Sequence, residues 1–174
     1  MITGKKLIDL LYLCEDSKEI QELEKELNIQ RPLINKEFKE DGYVAIEAKS
    51  TRSEIFFSDI SRFDKNIDLD TDCLMIFSTI MLYYKTTIPL PFALKMDDDL
   101  QTVLQKIGAN PDYTNINFPT KTWHLQRDDG KDYLLYASFD EDDYQELISV
   151  TIKSCDYDTI NRLSSNEFLI KHNA

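Results

Sequence analysis

The chain has 174 residues, 42% apolar and 11% aromatic, with only 4 glycines and 5 prolines, a composition that supplies a packed core and excludes a low-complexity or disordered protein. Its 32 carboxylates against 20 lysines and arginines give a formal charge of -12, which repels the phosphate backbone that dominates nucleic-acid affinity and so excludes a DNA- or RNA-binding protein of the usual kind. The same field raises the encounter rate with a basic protein.

In chain order, Leu7, Leu10 and Leu11 fall on one helical stripe, and residues 5–13 read as an amphipathic helix. Lys5 and Lys6 ahead of the run from Leu7 to Cys14 look like a secretory or lipoprotein leader, but Asp9 interrupts the apolar run and Leu13 is too large for the usual processing position. No other stretch approaches the roughly 18 uninterrupted apolar residues of a membrane span, so a cytoplasmic location with no membrane partner is expected. Cys14, Cys73 and Cys155 are odd in number, far apart and flanked by apolar residues, which suits buried reduced thiols better than a disulfide framework.

Asp16-Ser17 starts a second helix that carries Ile20, Leu23 and Leu27, and Asn28 and Pro32 end it. Residues 43–49 and 53–60 are rich in branched and aromatic side chains and read as a hairpin. The run Leu74 to Tyr84 favours a central strand by its β-branched and aromatic content, although periodicity alone also allows a buried helix. Two prolines in Thr86-Thr87-Ile88-Pro89-Leu90-Pro91 mark a boundary. Beyond it, Asp97, Asp98 or Asp99 caps a helix with Leu100, Val103, Leu104 and Ile107 on one face, stopped by Gly108 and Pro111. Strands follow at 122–126, 132–139 and 146–153, then a short helix over 157–170 with Ile160, Leu163 and Phe168 inward and frayed final residues. The order in both halves is helix, stop, proline and three strands. The expected fold is therefore α+β, with two tandem modules, 1–87 and 88–174, each a helix followed by a three-stranded antiparallel sheet, packed as one globule.

Reactive groups are scarce. His172 lies near the end of the chain, where order is not expected, and His124 alternates with Leu125 on a strand as an ordinary exposed or satisfied residue. Cys-x-x-Cys, His-x-x-x-His and glycine-rich phosphate loops are all missing, which excludes zinc by spacing and leaves no cofactor or metal expected. Asp97-Asp98-Asp99 and Asp140-Glu141-Asp142-Asp143 lack the alternating-ligand loop of a calcium site and read as a helix start and a hairpin turn. With no nucleophile and base in sight, the chain is not expected to be an enzyme. Carboxylates and aromatics near the turns remain, namely Asp128, Asp129, Tyr133, Asp140, Glu141, Asp142, Asp143 and Tyr144, with Tyr136 and Trp123 close by. They are the materials of an interface facing a basic partner, or else the aromatics fill the core.

Leu90, Pro91, Phe92 and Leu94, then Ile107, Gly108 and Pro111, then Trp123, then Ser138, Phe139 and Asp140 resemble the LP-x-G-L … LG-x-P … W … SF pattern of bacterial immunity proteins encoded beside polymorphic or contact-delivered toxins. That group looks like tandem copies of the helix-plus-three-strand module of the outer-membrane assembly lipoprotein BamE. Ala93 stands where the pattern has glycine, and the match covers the second half better than the first. The resemblance implies an immunity protein that occludes the active site of a cognate toxin, and the charge points to a basic, nuclease-like one. The alternative it implies is a structural module of envelope assembly.

Overall fold

A computed structural model describes residues 1–69, 72–140, 143–165 and 168–172. Among these residues the protein is α+β, with five helices and one open eight-stranded sheet whose neighbouring strands all run antiparallel. The helices are α1 (Gly4–Leu10), α2 (Lys18–Leu27), α3 (Lys36–Asp41), α4 (Leu100–Ile107) and α5 (Tyr157–Ser165). The strands are β1 (Tyr43–Ala48), β2 (Ser53–Asp59), β3 (Met75–Tyr83), β4 (Tyr113–Asn115), β5 (Thr120–Gln126), β6 (Asp132–Asp140), β7 (Glu146–Ser154) and β8 (Leu169–Lys171), in spatial order β1-β2-β3-β7-β6-β5-β4-β8. The meanders β1-β2-β3 and β5-β6-β7 thus join in mid-sheet where β3 pairs with β7, from Thr79 opposite Lys153 to Tyr83 opposite Ser149.

Local chemistry sets the helix ends. The side chains of Thr3, Ser17, Asn35 and Asp99 each accept a backbone N–H in the first turn of α1, α2, α3 and α4, satisfying donors that have no partner inside the helix. Asn28 and Gly108 take the left-handed conformation that ends α2 and α4. Gly4 is needed for a different reason: a Cβ there would lie 2.2 Å from the Pro91 nitrogen, and only a bare backbone lets α1 approach the 89–91 segment and donate Gly4 N–H to the Pro89 carbonyl at 2.6 Å.

Period-two alternation makes the two faces of the sheet chemically unlike. One cross-strand row runs Ile55, Ile80, Ile152, Leu135 and Trp123, all fully buried. Ile20, Leu23 and Leu27 of α2, Leu7 and Leu10 of α1 and Val103 of α4 belong to the same core, and burial of each large side chain stabilises the fold by about 1.5–3 kcal/mol. The adjacent row, one residue along, runs Phe56, Thr79, Lys153, Leu134 and His124 and faces the other way. On that second face a smaller cluster of Tyr113, Leu134 and Leu163 seats α5.

Several sequence expectations need correction. The helix expected over 157–170 ends at Ser165, and the chain returns as β8, pairing Ile170 with Thr114 on β4. Ile160 is 38% and Phe168 45% exposed, so only Leu163 of the three points inward. A short edge strand such as β4 leaves unpaired backbone groups, and the β8 ladder satisfies them. His172 is ordered, its N–H donating to the Asp112 carbonyl and its Nε2 lying 2.8 Å from Thr114 Oγ1. Residues 36–41 and 113–115 form α3 and β4, which no sequence pattern indicated because six- and three-residue elements are too short to show periodicity.

Candidate functional site

The expected partner-binding residues do not form one patch. Asp128 and Asp129 sit in the β5–β6 turn, whereas Asp140, Asp143 and Tyr144 sit around the β6–β7 turn, at the opposite end of a nine-residue strand and therefore about 27 Å away at about 3.4 Å per residue. Glu141 and Asp142 lie outside the described residues. Tyr133 and Trp123 are core residues, the Trp123 indole donating to the Ala109 carbonyl at 3.0 Å. Tyr144 is half-buried, edge-on to Phe139 at 5.5 Å, with the Lys121 ammonium 4.4 Å from its ring centre. Of the acidic triplet before α4, Asp99 is the cap and Asp98 is buried against Lys106 at 2.7 Å.

Asp129 belongs instead to an acidic pocket of about 570 Å³. The 64–68 loop contributes Asp64 and Asp68, the β5–β6 turn Asp129 and Asp132, and the start of α5 Asp156, while among the described residues Lys131 is the single cation in the wall. Tyr157 and Ile160, 48% and 38% exposed, form an aromatic and aliphatic rim. The floor is held by Tyr12, whose hydroxyl donates to the Asp132 carbonyl and accepts the Cys155 N–H at 2.8 Å. Burial raises that phenol well above its ordinary pKa, so it stays a neutral donor. Arg127 ties the turn to the end of α1 by donating to the Ile8 and Leu11 carbonyls, and it also bonds Asp129 at 3.0 Å.

Asp64, Asp68, Asp132 and Asp156 were missed at the sequence level. The signal was visible as aspartates at 64, 68, 70 and 72 after Phe63 and at 156 and 158, but nothing in one dimension shows that these segments meet.

Two constellations test for chemistry. Cys155 Sγ lies 3.9 Å from His124 Nε2, which also lies 3.2 Å from Asp132 Oδ2. One ring nitrogen cannot donate to the carboxylate and accept the thiol proton together, and burial, reinforced by Asp132 and Asp156, pushes the Cys155 thiol up to about 12; an activated nucleophile needs the reverse. His124 is a satisfied strand residue on this geometry. Elsewhere, Cys14, Glu15 and Cys73 bring three metal-competent donor atoms within 4.8 Å of one another, a group invisible to motif spacing because the cysteines are 59 residues apart. The Glu15 oxygens accept the Leu74 and Met75 N–H groups, fastening the 14–15 segment to β3, and burial followed by the Cys73 contact raises the Cys14 thiol far above its usual range.

Beyond Asp156, the second face of the sheet carries a groove of about 510 Å³ lined by Arg62, Lys153 and Arg162 and by hydroxyls from both meanders. Together the fold and these cavities define an α+β protein with an open antiparallel sheet and an acidic pocket at one end of it. Comparison with protein-family models, with curated proteins and with solved structures returns no match. Among the described residues no helix is long and apolar enough to cross a membrane.

Proposed function

We propose that this chain is a cytoplasmic immunity protein that binds a basic, nuclease-like toxin and blocks its active site, acting by occupancy and without a catalytic step of its own. The observation that carries this reading is the acidic pocket, in which, among the described residues, five aspartates face a single lysine beneath a rim of Tyr157 and Ile160. Such a pocket accepts a protruding lysine or arginine of the partner, long-range attraction speeds encounter, and the apolar rim slows release. The unactivated Cys155 supports a binding role over catalysis.

The resemblance to tandem helix-plus-three-strand modules extends the proposal to the architecture. In support, each meander follows a helix ended by a left-handed residue, and each contributes its third strand to the β3–β7 seam. Against a simple repeat stand α1, α3, β4, α5 and β8, which have no counterpart among the described residues of the opposite half.

The test is surface binding to the toxin encoded beside the gene, with nanomolar or tighter affinity expected and an on-rate that falls as salt rises. Asp64→Lys with Asp129→Lys should slow association at least tenfold at low salt. A salt-independent on-rate removes the electrostatic part of the proposal. Failure to bind ends it.

A further inference from the structure

We propose that the groove on the second face of the sheet is a binding site for a small phosphorylated organic molecule, independent of the toxin-binding reading. In a chain with twelve more acids than bases, three cations converge on one concavity whose lining, among the described residues, holds a single acid, Asp156. That acid is already engaged: it is 3% exposed, accepts the Thr159 N–H at 2.7 Å and lies 3.8 Å from Arg62 Nε. Arg62 is itself paired, donating to Asp158 at 2.7 Å and to the Asp41 carbonyl at 2.8 Å, and only its Nε is buried without a hydrogen bond. Among the described residues, however, the ammonium of Lys153 and the guanidinium of Arg162 have no hydrogen-bond or close ion-pair partner.

Lys153 stands at the centre of this arrangement. It projects from β7 in the row Phe56, Thr79, Lys153, Leu134, at the seam where the two meanders meet. Burial lowers its pKa, Asp156 opposes that shift in part, and Arg62 and Arg162 lower it further. A half-buried cation whose one nearby carboxylate, Asp156, is shared with Thr159 and Arg62 is incompletely compensated and costs stability, and a fold keeps such a cost where a ligand supplies further negative charge.

The rest of the lining matches the same ligand class. Thr79, Thr120, Tyr136, Ser138 and Thr151 bring hydroxyls into the groove, donors suited to the three acceptor oxygens of a phosphate. Phe56 and Met81 lie beside them and Tyr43 near one end, so there is apolar surface for an organic body. At about 510 Å³ the groove is far larger than a bare phosphate and within the range of small-molecule sites, about 300–1,000 Å³.

The experiment uses the full chain, titrated with inorganic phosphate and pyrophosphate and followed by amide and lysine side-chain NMR, with sodium chloride at matched ionic strength as reference. Saturable shifts confined to the groove-lining residues of β2, β3, β5, β6 and β7 and to Arg62 and Arg162 are expected, with the Lys153 amine titrating at higher pH once the anion is bound. Lys153→Met should lose at least tenfold in phosphate affinity while raising Tm in phosphate-free buffer by at most about 2–4 °C. Arg162→Ala, at an exposed position, should weaken binding severalfold with Tm unmoved. Shifts no larger than those from sodium chloride, or phosphate binding undiminished in both variants, overturn the proposal.

Discussion

The acidic pocket and the hydroxyl-lined groove lie on either side of Asp156 and are made of opposite materials in opposite places. The pocket's carboxylates sit on a loop, a hairpin turn and a helix start, and Asp64, Asp129 and Asp132 each have a local hydrogen bond or ion pair. The groove's central cation sits on a middle strand with no hydrogen bond or close ion pair among the described residues. A charge on a loop relaxes into water or toward a neighbour at little cost, and exposed pairs of this kind are worth at most about 1 kcal/mol. A charge fixed to a sheet face has no such freedom. The pocket therefore suits diffuse attraction to a large basic surface, whereas the groove suits capture of a compact anion at a defined point.

Asp156 is the shared wall, and its replacement tests whether the two regions are one mechanical unit. Asp156→Ala removes the cap of α5 and the carboxylate facing Arg62. It should cost about 2–3 kcal/mol in urea unfolding and weaken both sites; a loss below about 0.5 kcal/mol, no more than an ordinary surface substitution causes, would show that they stand independently. Tyr12→Phe acts on the pocket alone. It leaves the Cys155 N–H and the Asp132 carbonyl without their hydroxyl partner, with an expected cost of about 1–2 kcal/mol and no change in phosphate binding.

Lys153→Met sharpens the comparison through pH. The Lys153 pKa is lowered by burial in the folded protein, while the unfolded lysine titrates near its ordinary value, about 10.4. Between those two values the unfolded chain binds more protons, so wild-type stability rises with pH there, and at neutral pH the cost of the buried charge is fully present. The variant should be more stable than wild type at pH 7 by on the order of 1 kcal/mol or less, and the gap should close as pH approaches the unfolded value. A gap of constant size would show that the Lys153→Met variant gains by packing alone.

The regular elements were legible because they obey local rules. Ile20, Leu23 and Leu27 repeat at helical spacing after Ser17, and the strands at 122–126, 132–139 and 146–153 were expected nearly in full. The candidate site was legible only in fragments. Asp128 and Asp129 were singled out, yet they were grouped with Asp140 and Asp143, because proximity in sequence across β6 hides the length of an extended strand. The aromatics Trp123 and Tyr133 satisfied the pattern of an interface and of a core equally, and burial assigned them to the core.

Composition alone settled that this chain is acidic and apolar enough for a core, and periodicity alone settled the class of most of its elements, since both depend on residues within a turn or two of one another. The sheet order, with β7 between β3 and β6, could come only from the tertiary structure. That order joins Lys153 to Thr79 and Phe56, carries Asp64 to Asp129, and sets Cys14 beside Cys73. Long-range strand pairing is chosen by how the buried faces pack against one another, a free energy that belongs to the assembled core and to no single stretch of residues.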